Sequence, residues 1–407
     1  MRCRHCGAPV HARFLDLGTA PPSNAYLDAA RLDGPEAWFP LRVLVCETCW
    51  LVQTEDFAGR EALFTEDYAY FSSYSTSWLE HARHYVAEMI ERFGLGAHSR
   101  VVEVAANDGY LLQYVRQAGI PAYGIEPTAS TAAAAIAKRI DIVQSFFGVA
   151  LAERLVAEGR GADLIVANNV LAHVPDINDF VGGFARLLKP GGVATFEFPH
   201  LVSMVRECQF DTAYHEHYSY LSLLAVERVF AANGLTVFDV QQLPTHGGSL
   251  RVFAQRADGR RAATPALAAL RALEQEAGVA TPAFYAGFQR AAEAIKDDLL
   301  RFLLDARRDR TRVAAYGAAA KGNTLLNFAG VRADLLPYVV DRNPAKAARF
   351  LPGSRIPIVT EDRLRSHRPD MILILPWNLK DEVMAQLTYA RAWGARFVTA
   401  VPALQIA

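Results

Sequence analysis

Cysteine is scarce in this chain. Its 407 residues include five, too few for a secreted fold held together by disulfides. An excess of either charge is also missing. The 42 Lys+Arg and 43 Asp+Glu leave a net charge of −1, so no global field attracts a polyphosphate backbone, and no local basic patch replaces it. Nucleic acid is therefore not an expected partner. Long apolar runs are absent as well: no stretch of about 20 such residues could span a bilayer. Met1 to Gly7 carries two Cys and two Arg in place of the apolar core of a secretion signal. No membrane partner is expected, and the cytoplasm is the expected location. What is abundant is core material, 52% hydrophobic residues against 21% charged, which excludes disorder and leaves room for two to four domains.

Four of the five cysteines fall into two pairs, Cys3-Arg-His-Cys6 and Cys46-Glu-Thr-Cys49, while Cys208 stands alone. Two C-x2-C turns present four thiolates, the donor set of a tetrahedral Zn2+ site. The interval between the pairs exceeds that of a compact zinc ribbon. With Cys3, Cys6, Cys46 and Cys49 as ligands no position is left open, so the metal is expected to be structural, organising a segment too polar and Pro-rich to fold alone. His5 is expected as a solvated turn residue.

From about Ser99 the pattern alternates strand and helix. The β-branched run from Arg100 ends in Asn107-Asp-Gly109, and helix Tyr110 to Ala118 follows. Strand Ala122 to Glu126, helix Thr128 to Lys138, strand Ile140 to Phe146, helix Val149 to Glu158 and strand Ala162 to Asn168 come next. Helix Asp179 to Leu188 and strand Val193 to Phe198 complete five β-α repeats, which predict a doubly wound parallel sheet. Helix Leu221 to Asn233 then leads to strands Thr236 to Leu243 and Ser249 to Gln255, close enough to pair antiparallel. Glycine is short where a dinucleotide fold needs it: of G-x-G-x-x-G only Gly109 remains in Glu103-Val-Ala-Ala-Asn-Asp-Gly109. A methionine sulfonium cofactor carries no phosphate and tolerates that loop. Glu103 suits the ammonium or sulfonium side, Glu126 the ribose hydroxyls, and Asn168 the end of the fourth strand. Ala105, Asn107 and Gly109 line the loop, and Ser72 and Ser75 are candidate contacts of the cofactor carboxylate. Together with the closing hairpin these features predict a seven-stranded, Rossmann-like class I S-adenosylmethionine methyltransferase domain.

Over nearly its whole length the chain resembles the nucleotide-diphosphate-deoxysugar C-methyltransferases. The resemblance is carried by the four-Cys module and Pro21-Pro-Ser-Asn-Ala-Tyr26, then by Asp67-Tyr68-Ala-Tyr-Phe-Ser-Ser-Tyr-Ser75, Ala106-Asn-Asp-Gly-Tyr-Leu111 and Asn168-Asn-Val-Leu-Ala-His173. Tyr214-His-Glu-His-Tyr-Ser219 and Tyr316-Gly-Ala-Ala-Ala-Lys-Gly-Asn323 complete it. Ala105 departs from the glycine common in such loops. Carbon methylation needs a carbanion equivalent, and in a keto sugar only the hydrogen alpha to the carbonyl is acidic enough, so a positioned base is required. The resemblance implies that His217 takes the C3 proton of a 4-keto sugar nucleotide, dTDP-linked in the expectation. Glu216 and Tyr214 would line the site, with Tyr68 and His173 opposite. Other readings of these residues stay open. The Tyr-His-Glu-His loop suits a hydrogen-bonded structural turn or a second metal, His173 a helix cap, and Tyr68, Tyr70 and Tyr74 a packing stripe.

Helices spanning Ala262 to Arg307 are expected to link to a second α/β unit. Its elements are strand Thr311 to Gly317, helix Gly322 to Ala329, strand Leu336 to Asp341, helix Glu361 to Ser366, strand Asp370 to Pro376, helix Lys380 to Trp393 and strand Ala395 to Val401. Its first turn, Gly317 to Asn323, aims amides and Lys321 at a helix N-terminus, a favourable place for a diphosphate. Asp341 could hold a ribose or the helix-side amides. The resemblance makes this a C-terminal Rossmann-like domain holding the sugar nucleotide through Tyr316, Gly317, Lys321, Asn323 and Asp341. The expected organisation is a zinc module at 1–65, methyltransferase domain at 66–258, helical linker at 259–310 and C-terminal domain at 311–407, with a monomer as the expected assembly. An O- or N-methyltransferase of another metabolite, and a non-catalytic binding module, remain as rival readings.

Overall fold

The structure, a computed structural model, describes residues 1–57 and 71–407. Tyr68 and Tyr70 lie outside these residues. The N-terminal segment forms β1 (Ala12–Ala20), β2 (Phe39–Val45) and β3 (Val52–Thr54), all antiparallel. The central domain carries β4 (Val101–Val104), β5 (Ala122–Ile125), β6 (Asp141–Val143), β7 (Ala162–Asn168) and β8 (Leu188–Pro199), a parallel set separated by helices. After β9 (Ser219–Tyr220), β10 (Leu235–Leu243) and β11 (Ser249–Arg256) close the sheet antiparallel, in the order β10-β11-β8-β7-β4-β5-β6. This seven-stranded arrangement is the one predicted from the five repeats and the hairpin.

Two differences from the sequence expectation have physical causes. The strand expected to reach Phe146 stops at Val143, because its neighbour β5 offers backbone partners only opposite Asp141 to Val143. Ser219 and Tyr220, where the sequence predicts no strand, form β9. It joins the N-terminal sheet, pairing Gln53 with Ser219 and Val52 with Tyr220.

The last domain holds β12 (Val313–Tyr316), β13 (Val339–Val340), β14 (Ile358–Val359), β15 (Met371–Ile374), β16 (Arg396–Thr399) and β17 (Gln405–Ile406). The order is β14-β13-β12-β15-β16-β17, with only β17 antiparallel. β14 and β17, two residues each, were not anticipated. The helix expected over Lys380 to Trp393 ends at Gln386 and continues as a 3-10 turn, Thr388–Trp393. The linking segment comprises the helices Pro265–Ala277, Pro282–Tyr285 and Phe288–Arg308, in keeping with the several helices expected there.

The three parts share cores. Phe14 and Leu15 of β1 and Leu41 and Val43 of β2 pack with Phe288, Ile295 and Leu299 of the last linking helix and with Leu325 and Leu326 beyond it. The Phe14 and Phe288 rings stack with centroids 4.4 Å apart. The N-terminal segment, short of apolar residues of its own, thus buries its sheet against another part of the chain, where each large side chain removed from water contributes roughly 1.5–3 kcal/mol. Cys3, Cys46 and Cys49 lie in a second cluster with Leu223 and Val226 of the central domain. Among the described residues no helix is long and apolar enough to cross a membrane.

Candidate active site

Both parallel sheets reverse strand order beside their first strand, and ligands of open α/β folds bind at the carboxyl ends of strands there. The loop after β4 and the loop after β12 meet at one cavity of about 380 Å³. A larger open groove of about 1260 Å³ near Arg4, Asp176 and Asp258 holds none of the expected catalytic or cofactor residues.

On the central-domain side the loop turns tightly, with left-handed φ at Ala105 (59°), Asn107 (49°) and Gly109 (76°). Glycine is required at 109, where a Cβ would stand 2.1 Å from Ile140 Cδ1. Ala105 pays the steric cost of that conformation with a real Cβ. Glu126, after β5, accepts the Asn107 and Thr128 amides, each at 2.9 Å, so its carboxylate is held on the cavity wall. Asn168, beside the Tyr110 phenol, has both side-chain polar atoms buried without a well-formed hydrogen bond and also faces the cavity. Buried polar atoms left in that state point to a ligand or water that completes them. Phe146, Phe147 and Phe180 supply an apolar end. An adenosyl group fits this set: a carboxylate for hydroxyls, an amide for polar edges and aromatic faces for the base.

Glu103 is placed differently from expectation. It sits inside β4, 1% exposed, behind the wall and not on it; burial, followed by the charges of Asp108 and Glu126, raises its carboxyl well above the usual range. Ser75 is not on the wall either, since its side chain caps helix Thr76–Phe93 by accepting the Trp78 amide. Ser72 does line the cavity, and its amide donates to Asn107 Oδ1.

Opposite lies the segment 209–220. His217 is 8% exposed, and its Nδ1–H donates to the Thr212 carbonyl at 2.8 Å. A carbonyl only accepts, so Nδ1 carries the proton and Nε2 keeps its lone pair, to which the Tyr214 hydroxyl donates at 2.7 Å. Burial, with the nearby charge of His173, lowers the His217 pKa well below the histidine range, so the ring is neutral near pH 7. His173 stands edge-on to it, ring centroids 4.6 Å apart, its own pKa lowered to about 4 by burial. His173 caps no helix: Asp176 caps Ile177–Leu187 by accepting the Asp179 amide. Tyr74, 60% exposed, does not pack in a core.

His215 turns away, Nε2 toward the Pro40 carbonyl at 3.2 Å, so it shares no ligand position with His217. Glu216 lies behind the wall, where Oε1 accepts the Asn24 amide nitrogen at 2.7 Å. Asn24 itself lines the cavity, as do Trp78, His246 and Lys346, none of them expected from the sequence. Pro21 to Tyr26 and the hairpin turn at His246 were the available signals. Neither has a periodicity that marks a site.

From the last domain, Lys321 reaches the cavity, while Tyr316, Gly317, Asn323 and Asp341 do not. The Tyr316 hydroxyl meets Gln386 Oε1 at 3.4 Å, and Asn323 is buried in its helix. Gly317 keeps φ at 91° because a Cβ would strike Pro376 Cδ at 2.4 Å. Asp341 accepts the Ala318 and Asn343 amides at 2.8 Å each, the second of its two expected uses.

The four Sγ atoms of Cys3, Cys6, Cys46 and Cys49 lie within 4.8 Å of one another, with Cys3–Cys49 at 3.5 Å and Cys6–Cys46 at 3.6 Å. Four thiolates that close fit one tetrahedral Zn2+. His5, outside the cysteine cluster, is half-buried, and its Nδ1 meets Asn178 Oδ1 at 2.8 Å, joining the module to the central domain. Gln53 Nε2 donates to Cys3 Sγ at 3.2 Å, and Thr54 Oγ1 donates to the His217 carbonyl at 2.6 Å. Through β3 the cysteine cluster is therefore connected to the backbone of the histidine loop.

Comparison with known proteins gives three family matches: a putative zinc binding domain over residues 3–64, a methyltransferase domain over 78–240 and a C-methyltransferase C-terminal domain over 244–402. The chain is 33% identical to the C-methyltransferase NovU of Streptomyces niveus over 400 residues, 98% of this chain and 95% of that protein. The following solved structures each cover less than half of this chain. Magnesium protoporphyrin IX methyltransferase from Synechocystis PCC 6803 with bound S-adenosylmethionine shares 17% identity over 44% of this chain and 79% of its own, with a TM-score of 0.34. An S-adenosylmethionine-dependent methyltransferase from Clostridium acetobutylicum shares 11% over 45% and 92%, with a TM-score of 0.37.

Proposed function

This chain belongs to the deoxysugar C-methyltransferase family, and from that premise we propose that it methylates carbon 3 of a nucleotide-linked, dTDP-linked 4-keto-deoxysugar. The chain is an S-adenosylmethionine-dependent methyltransferase with a Zn2+-type cysteine module. The single observation that supports a proton-abstracting step is the fixed tautomer of His217, a cavity-lining residue: a neutral ring, Nδ1–H tied to a carbonyl, and Nε2 left with its lone pair.

The cofactor supplies an electrophilic methyl group when bound; Glu126, Asn168 and the Phe146 and Phe147 faces would hold it. Substrate entry replaces the Tyr214 hydroxyl as the partner of Nε2. His217 then takes the proton from the carbon beside the ketone, and the bonding pair moves into the carbonyl to give an enolate. The Thr212 carbonyl steadies the resulting imidazolium through Nδ1–H, and the freed Tyr214 hydroxyl and His173 stay near the reacting oxygen. The enolate carbon would be the nucleophile presented to the methyl group of the bound cofactor. Asn24 fixes Glu216 behind this site. Tyr68 is proposed to join from the segment outside the described residues. A thiolate metal site suits a reducing compartment, so the cytoplasm is the proposed location.

The test is transfer from cofactor carrying a 13C methyl group to a dTDP-linked 4-keto-6-deoxysugar, read by NMR of the product. A methyl resonance coupled to a ring carbon is expected. A methoxy resonance would assign oxygen as the acceptor and overturn the proposal.

A further inference from the structure

Lys321, expected at a diphosphate, also has a place among the histidines. It leaves the first turn of helix Ala320–Phe328 and enters the cavity shared with Tyr214, His217, His173 and His246. Its Nζ lies 3.4 Å from the His246 carbonyl oxygen and 4.8 Å above the Trp377 ring. Among the described residues no carboxylate stands within 4.0 Å of it. Asp211, the acid whose charge reaches it, is buried and accepts the Trp377 indole N–H at 2.7 Å. An ammonium has three donors, and the contacts here use one weakly. A cation that lies on an aromatic face, shares its cavity with three histidines and has no ion-paired carboxylate among the described residues is arranged for negative charge that arises during turnover.

Resting on the function proposed above, we propose that Lys321 is a catalytic residue that donates to the ketone oxygen and stabilises the enolate. The proton from carbon 3 goes to His217 Nε2, the bonding pair goes to the oxygen, and the ammonium faces the charge that results. The pair returns when the new carbon–carbon bond forms, so Lys321 need not exchange its own proton. Donors fixed in a water-poor site at the place where charge develops are among the largest single contributions to catalysis. Burial also lowers the Lys321 pKa, with Asp211 acting in the opposite direction, which makes the ammonium a stronger donor. The position supports this role over a phosphate clamp, because Lys321 Nζ lies beside the His246 carbonyl in the cavity that also holds His217 and His173. The diphosphate is left to the helix N-terminus at Ala319 and Ala320 and to Lys346, which line the same cavity.

The test compares the full-length enzyme with Lys321→Met and Lys321→Arg. Three quantities are read: dTDP affinity by calorimetry, kcat at saturating substrate, and deuterium exchange at carbon 3 in D2O with S-adenosylhomocysteine bound. For Lys321→Met, kcat and exchange are expected to fall together by about 10²–10³-fold, with dTDP affinity within about threefold and partial recovery in Lys321→Arg. A loss of dTDP affinity of about tenfold or more with kcat preserved would assign the lysine to phosphate and overturn the role. Exchange equal in wild type and Lys321→Met would also overturn it, leaving the function intact. Absence of both exchange and methylation in wild type would overturn the proposed substrate and the lysine's role with it.

Discussion

The N-terminal module and the C-terminal domain grip the same segment, 209–220, by different means. The module adds a backbone ladder to the side-chain bonds of Thr54 and Asn24: β3 pairs with β9, and the Thr54 amide donates to the Tyr218 carbonyl at 3.1 Å. The C-terminal domain uses side chains: Thr324 Oγ1 donates to the Ala213 carbonyl at 3.0 Å, and Trp377 donates to Asp211. A ladder fixes register whatever the side chains, because a one-residue slip would invert every neighbour. Side-chain contacts set finer position and are broken one at a time. The central sheet meanwhile walls the cofactor end of the cavity. The histidine that we propose as base is thus held by two parts that flank the methyltransferase fold.

The comparison can be broken most severely at the metal. Chelating zinc, or Cys46→Ser, should remove the anchor behind β3, lower the melting temperature and reduce turnover by more than about 10³-fold, since structural zinc sites supply folding free energy outright. An unchanged melt with full activity in the stripped protein would show that the module does not hold the loop. Acid should act next. Burial holds His173 and His246 neutral with pKa values near 4, and that of His217 well below 6.5. Between these values and about 6.5 the unfolded chain binds more protons than the folded one, so stability should fall as pH drops from about 6.5 toward 4. Urea titrations at stepped pH check this, and a flat midpoint through that window would contradict the buried neutral state.

Single contacts give smaller effects. Trp377→Phe leaves the buried Asp211 without its indole partner and should cost about 1–3 kcal/mol, measured by urea unfolding. Thr54→Val removes the bond to the His217 carbonyl and the 3.5 Å contact with the Tyr220 hydroxyl. It should cost about 1 kcal/mol and lower kcat more than it changes KM. If Thr54→Val proves more damaging than Trp377→Phe, the ladder is weaker than its geometry indicates. Outside the comparison, Ala105→Gly should relieve the left-handed φ and raise stability by roughly 0.5–1 kcal/mol, visible as a modest rise in melting temperature.

Much of this architecture was legible because long elements repeat a pattern. The β-branched runs and Ala-rich helices gave the central sheet, and Tyr-Gly-Ile-Glu126 announced a carboxylate at a strand end. Two C-x2-C pairs gave the metal cluster. Short pairings were not legible: β9 has two residues, and nothing in Ser219-Tyr220 says that Val52 and Gln53 wait 168 and 166 residues before their partners. Side-chain direction was also hidden. Glu103 and Lys321 were recognised as chemically able, but only the fold places one behind the wall and turns the other toward the histidines.

The central claim is that His217 removes a proton from carbon beside a ketone. Its most direct measurement is deuterium wash-in at carbon 3 of a dTDP-linked 4-keto-6-deoxysugar in D2O, with S-adenosylhomocysteine in place of the methyl donor, for wild type and His217→Asn. Exchange catalysed by wild type and lowered by about 10²–10⁴-fold in His217→Asn, with cofactor affinity within a few fold, is the predicted result. Equal exchange in both proteins would place the base elsewhere and contradict the account.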